Sequence, residues 1–180
     1  MRTLTMLWLC SVILNAQTPQ RRVGDWIVTS AETVENQSIS LAGNLIVEGT
    51  GSLTLTNVNL TMERKATGQY GIQAKPGSSL TITRSTIAPV QADVQFDFLV
   101  DGARFTLRNN TVEGLNDLEY PFNGGGLFLK NTVDAVLEDN VINHRDTVAG
   151  IQLFRCRRTV IRNNVITTPT RNNAHALTMQ

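Results

Sequence analysis

Phe105-Thr106-Leu107-Arg108-Asn109-Asn110-Thr111-Val112 is one of five versions of a single phrase in this chain. The others are LTLTNVNL from Leu53, LTITRSTI from Leu80, AVLEDNVI from Ala135 and TVIRNNVI from Thr159. Their spacing is uneven, yet it stays inside the window of roughly 20–50 residues that marks a solenoid. Ahead of most copies runs a shorter alternating stretch: Ile72 to Ala74, Phe98 to Val100, Leu127 to Leu129 and Ile151 to Leu153. Leu45 and Val47 take the same role before the first copy. Such runs, bounded by bends, read as strands, so each unit is two or three very short strands.

Successive strand residues point to opposite faces, which sorts the phrases into columns. Leu55, Ile82, Leu107, Leu137 and Ile161 face inward in one column, and Leu60, Ile87, Val112, Ile142 and Ile166 in a second. Val47, Ala74, Val100, Leu129 and Leu153 make a third. Coils stacked at about 4.8 Å, the spacing of neighbouring strands, bring each column into contact with itself. Outward, Thr56, Thr83, Arg108, Glu138 and Arg162 form a column whose charges alternate, and Lys75, Asp101, Lys130 and Phe154 form another. Opposite charges facing across strands contribute about 0.2–1 kcal/mol, near the bottom of that range when exposed. These charges are accounted for as ladder partners before any chemistry is assigned to them.

Between the first two columns lies a bend position held by Val58, Ser85, Asn110, Asn140 and Asn164. Asparagine adopts left-handed backbone angles and hydrogen-bonds to a neighbour above or below. Both the left-handed residue and a side-chain ladder of Asn110, Asn140 and Asn164 are therefore expected there. With Gly150-Ile151-Gln152-Leu153 leading into Val160-Ile161-Arg162-Asn163-Asn164-Val165-Ile166, the chain resembles the right-handed parallel β-helix superfamily of pectate-lyase-like solenoids, from roughly Gly43 to Thr168. The resemblance implies an all-β, right-handed parallel β-helix of about five coils. It implies no single activity, because one scaffold carries unrelated functions.

Met1-Arg2-Thr3, the apolar run Leu4 to Leu14 and Asn15-Ala16 have the basic start, short apolar centre and small residue of a secretory signal peptide over residues 1–16, too short to cross a bilayer. Cleavage after Ala16 leaves a secreted, periplasmic or cell-surface protein with no transmembrane span. Its one remaining cysteine, Cys156, then has no partner in the chain. Residues 17–43 alternate loosely and are expected to cap the first coil, with Trp26 as a core plug. Residues 44–168 are the coils. Residues 169–180 start a further coil that stops at Gln180, which reads as the amino-terminal part of a longer β-helix and offers an open strand for end-to-end self-association. The net charge is +1 and no basic patch points to nucleic acid.

With the columns full, chemistry belongs to the loops. The longest interval between a phrase and the next coil, Val112 to Leu127, holds Asp117, Glu119, Tyr120, Phe122 and Asn123, the candidate ligand-binding residues. The excursion from Ala88 to Asp97 and the strand after it supply Asp93, Asp97 and Asp101 as candidate metal ligands. Polysaccharide lyases of this fold hold calcium on acidic residues while a Lys or Arg removes the proton, so the resemblance implies calcium under that reading. No other cofactor is suggested. His144, Arg145 and Asp146 form the candidate acid–base turn. The Asp-Pro-His-Asp motif of alginate-acting enzymes and the paired arginines of pectate lyases are absent. The reading is an exported scaffold that contacts extracellular polysaccharide or a surface partner and needs no catalytic residue. The alternative is a calcium-assisted polysaccharide lyase or uronate epimerase of which this chain is the amino-terminal part.

Overall fold

The computed structural model describes residues 18–118, 124–144, 149–167 and 175–180. The strands in chain order are β1 (Gln20–Val23), β2 (Trp26–Val28), β3 (Ala31–Glu35), β4 (Ser38–Ala42), β5 (Leu45–Val47), β6 (Ser52–Thr56), β7 (Asn59–Met62), β8 (Gly71–Ala74), β9 (Ser79–Thr83), β10 (Thr86–Pro89) and β11 (Asp97–Asp101). They continue as β12 (Arg104–Arg108), β13 (Thr111–Leu115), β14 (Asp117–Leu118), β15 (Gly124–Gly125), β16 (Leu127–Lys130), β17 (Val136–Glu138), β18 (Val141–His144), β19 (Ala149–Phe154), β20 (Val160–Arg162), β21 (Val165–Thr167) and β22 (His175–Met179). There is no helix among the described residues.

Three parallel sheets result. The first runs β1-β4-β7-β10-β13-β18-β21, the second β2-β5-β8-β11-β16-β19-β22, and the third β3-β6-β9-β12-β17-β20. The chain visits them in rotation, which makes a right-handed solenoid of about five coils over the repeat phrases. Within residues 17–43, expected to cap the first coil, Gln20 to Ala42 form β1 to β4, of which β3 and β4 pair in register with the strands one coil on, Val34 opposite Leu55 and Ile39 opposite Leu60. Glu32 to Ile39 thus occupy the place of a sixth phrase, disguised by the charged Glu32 where the later copies carry Leu53, Leu80, Phe105, Ala135 and Thr159. Trp26 is the plug: it is buried under the guanidinium of Arg22, 3.8 Å above its ring, and its Nε1–H donates to Glu32 (3.1 Å).

The three inward columns are as read. Leu55 aligns with Ile82, Leu107, Leu137 and Ile161, and Leu60 with Ile87, Val112, Ile142 and Ile166. All are fully buried except Ile161 and Ile166, half-buried in β20 and β21, the last described strands of their sheets. Each fully buried Leu or Ile stabilises the fold by about 1.5–3 kcal/mol relative to exposure.

One expectation divides between two residues. The side-chain ladder stands at Asn110, Asn140 and Asn164: the backbone N–H of Asn110 donates to Asn140 Oδ1 (3.0 Å) and that of Asn140 to Asn164 Oδ1 (3.0 Å). Ser85 extends it, receiving the Val58 N–H at 3.0 Å and donating its own N–H to Asn110 Oδ1 at 2.9 Å. The left-handed residue, however, is the one before: Asn57, Arg84, Asn109, Asp139 and Asn163 all have φ between 50° and 57°. The reason is geometric. Reversal of the chain at the corner is made by the exposed residue, and this turns the next side chain inward, where its amide can bond along the stack.

The outward columns form the expected ladders. Glu138 lies between Arg108 (3.0 Å) and Arg162 (2.7 Å). In the other column Lys75 pairs with Glu48 (2.7 Å) and Lys130 with Asp101 (3.5 Å), so that Glu48, one coil earlier, completes the alternation.

Candidate functional site

The turns between the first and second sheets differ most from coil to coil. After β1 and β4 they are Gly24-Asp25 and Gly43-Asn44, whereas after β7, β10 and β13 they run 63–70, 90–96 and 116–126. Gly43 permits the tight form, because a Cβ there would overlap the carbonyl of Gly24 in the coil beneath. Long turns leaving one corner of a stack lie against one another. Gly68 N–H donates to Gln95 O (3.2 Å), Phe96 N–H to Gly114 O (2.8 Å), and Asn116 Nδ2 to Asp97 Oδ1 (2.9 Å).

A step therefore stands where the short turns of the first coils meet the tall 63–70 turn, and it shapes a groove of about 580 Å³. Its floor is the outer face of the first sheet, with Arg21 and Val23 from β1 and Ser40 and Ala42 from β4. Glu63, Arg64, Lys65, Gln69 and Tyr70 form the wall, and Val90 the far rim. The volume lies within the range of about 300–1,000 Å³ usual for small-ligand sites.

Two arginines here behave differently. Arg21 grips Glu63 through Nε and Nη2 (2.9 and 2.8 Å), while Ser40 Oγ donates to the same carboxylate at 2.6 Å. Hydrogen bonds from Arg21, then Ser40, hold the Glu63 pKa down at about 2, against partial desolvation. Arg64 is 5% exposed. Its guanidinium lies 6.0 Å from the centroid of the Phe96 ring, and Nη2 makes one long bond to Ala66 O (3.4 Å). Nε and Nη1 have no hydrogen-bond partner among the described residues. Desolvation lowers the Arg64 pKa to about 10, opposed by attraction to Asp97, so the group is charged at neutral pH.

Of the residues expected from sequence, those described lie on different strands and turns. His144, expected at a turn, ends β18 with its side chain fully buried, opposite Leu115 and close to Gly150. Arg145 and Asp146 lie outside the described residues. Asp117 begins β14, which pairs antiparallel with β15; Glu119, Tyr120, Phe122 and Asn123 lie outside the described residues. The hairpin reaches the outer face of the second sheet, where Gly125 N–H donates to Gln152 Oε1 (2.9 Å). Phe128 there is 2% exposed although it points outward. Asp93 is exposed, Asp97 accepts from Asn116, and Asp101 accepts from Asn131 Nδ2 (2.8 Å) beside Lys130. Among the described residues no three His, Cys, Asp or Glu side chains gather around a common point that could hold a metal ion. Cys156 is free, and its sulfur accepts from Thr132 Oγ1 (3.1 Å).

The groove was missed in the sequence, although a signal was present. The interval from Leu60 to Ile72 is longer than that from Ile87 to Phe98, and it carries Glu63-Arg64-Lys65 and Gln69-Tyr70. Residues 43–176 match a family model described as "Right handed beta helix region". No curated protein and no solved structure matches the chain.

Proposed function

We propose that this chain, which belongs to the right-handed β-helix family, is an exported scaffold that binds extracellular polysaccharide in the groove beside the 63–70 turn. The observation that carries the reading is the make-up of that groove: an aromatic, Tyr70, beside Gln69, Ser40 and long cationic side chains, on a floor formed by rigid strands. Sugar rings present apolar faces edged by hydroxyls, and a mixed lining of this kind satisfies both. A solenoid adds a floor that continues from coil to coil, suited to an extended polymer. Export rests on the amino-terminal pattern of residues 1–16, which lie outside the described residues. No helix among the described residues is long and apolar enough to cross a membrane.

The test is binding to a panel of immobilised polysaccharides, comparing the unaltered protein with Val90→Trp. Val90 is 56% exposed at the rim, so a larger side chain fills the groove without entering the core. The expected result is retention of at least one polysaccharide by the unaltered chain and loss of retention by Val90→Trp, with equal thermal stability. Equal retention by both would place any binding elsewhere. Cleavage of a polyuronate, seen as an ultraviolet-absorbing unsaturated product, would favour the lyase reading instead.

A further inference from the structure

We propose that the outer face of the third sheet is an ice-binding plane, a lattice of threonine and serine hydroxyls that adsorbs to the surface of crystalline water. It uses none of the groove and is independent of the glycan reading.

The outward residues of β6 are Ser52, Thr54 and Thr56, and those of β9 are Ser79, Thr81 and Thr83. Pairing sets each over its counterpart, Ser52 opposite Ser79, Thr54 opposite Thr81 and Thr56 opposite Thr83. The middle file continues at both ends, to Thr33 in β3 and Thr106 in β12. Strands repeat at about 4.8 Å, and alternate residues along a strand at about 6.6 Å, so the hydroxyls form a rectangular array. Both repeats are close to those of the oxygens on a prism face of ordinary ice. A hydroxyl donates one hydrogen bond and accepts two, as a lattice water in that surface requires of a neighbour.

The array is held still and left uncovered. Thr has few side-chain rotamers, and Thr56 and Thr83 share a hydroxyl–hydroxyl bond (3.3 Å). Side-chain ladders of this kind keep a sheet flat. Beneath it Leu53, Leu55, Leu80 and Ile82 are fully buried. The six hydroxyl residues of β6 and β9 are all half-buried by one another's flanks, which leaves their methyls and hydroxyls flush. Turns entering the face are 48–51, 75–78 and 102–103, and those leaving it 57–58, 84–85 and 109–110. The long 63–70 and 90–96 turns leave from the opposite corner.

Thr suits strands, and Thr–Thr pairs stabilise a sheet. That preference explains single residues but not the exclusion of charge. β6 and β9 carry no charged residue, whereas β3 has Glu35 and β12 has Arg104 and Arg108. An ionic head group keeps its own hydration and would break the lattice match. A flat uncharged face gives a small dissolved ligand no concavity to enter. An extended crystal surface meets every hydroxyl at once, so that weak contacts add.

The experiment grows ice slowly from a dilute solution of the full chain and measures the ratio of protein in the ice to protein in the remaining liquid, together with the melting and growth temperatures of single crystals. The main variant combines Thr54→Lys and Thr81→Glu, which face each other, so that the new charges make a cross-strand pair and the sheet is kept. Thr61→Lys, on β7 of the first sheet, is the control. The unaltered chain and Thr61→Lys should be enriched in the ice and should hold crystal growth below the melting temperature. The double variant should be rejected into the liquid and lose that gap; Thr81→Tyr, which raises a ring above the plane, should do the same and serves if the double variant does not fold. Rejection of the unaltered chain from ice, with equal melting and growth temperatures, would overturn the proposal. So would undiminished uptake of the folded variants, or loss of uptake in Thr61→Lys. Retention on polysaccharide, measured in parallel, should be the same for the unaltered chain and the double variant, so the two readings fail separately.

Discussion

Replacing Asn140 by alanine should destabilise the protein by about 4 kcal/mol. Asn140 is 1% exposed, at the middle of the ladder. Its Oδ1 accepts from the backbone N–H and from Nδ2 of Asn110, both at 3.0 Å, and its Nδ2 donates to Leu107 O (2.9 Å) and Asn164 Oδ1 (2.8 Å). Asn110 Nδ2 survives the loss, because it also donates to Ile82 O and Arg108 O. The Asn110 backbone N–H, by contrast, is left with no acceptor in a residue 3% exposed. Two lost donor bonds at about 1 kcal/mol each and a stranded buried amide at about 2 kcal/mol give the total. The control is Asn163→Ala, at an exposed corner with φ 55°, where the penalty is the left-handed backbone alone, about 1 kcal/mol. Urea denaturation followed by far-ultraviolet circular dichroism reads both, with the slope required to stay constant so that midpoints report stability. An Asn140→Ala loss no greater than that of Asn163→Ala would refute the claim that the ladder, rather than the corner, carries the energy.

Other outcomes follow from named contacts. Glu63 has a folded-state pKa of about 2 against an ordinary 4.5, so its contribution is complete above the ordinary value and is lost as pH falls from there through about 2; melting temperatures across that window should fall less steeply for Glu63→Gln than for the unaltered chain. Gly43→Ala, whose Cβ would overlap the Gly24 carbonyl, should cost about 3 kcal/mol, and Gly49→Ala, with open space around it but φ 62°, about 1 kcal/mol, measured by the same denaturation. Glu138→Gln should cost about 1 kcal/mol at low salt and less at about 1 M salt, since its arginine partners are largely exposed and screening reaches them. Mass spectrometry of protein recovered outside the cell should find a chain beginning at Gln17; an intact Met1 would count against the export signal.

Much of the fold is legible in the residues because a strand has a period of two and a solenoid repeats its environment. Leu107 lies between Ile82 and Leu137 for the same reason that each of those is aliphatic: every coil offers the same interior. The ladder asparagines could be read for the same reason. The division between a left-handed Asn109 and an inward Asn110 could not, since adjacent asparagines look alike until the corner is built. Glu32 to Ile39 escaped because that stretch opens on a charged residue, as none of the five phrases does; in place Glu32 serves Trp26 and Arg22.

Sequence by itself determined the strand pattern, the inward columns, the ladder residues and the charge alternation along the outer faces, because each depends on neighbours one coil away at a repeating offset. Tertiary structure alone decided what the turns make. The step between Gly43-Asn44 and the 63–70 turn, the groove it opens, and the burial of Arg64 against Phe96 depend on turns of unequal length lying side by side. No period governs those turns, so their contacts follow only from how the coils stack.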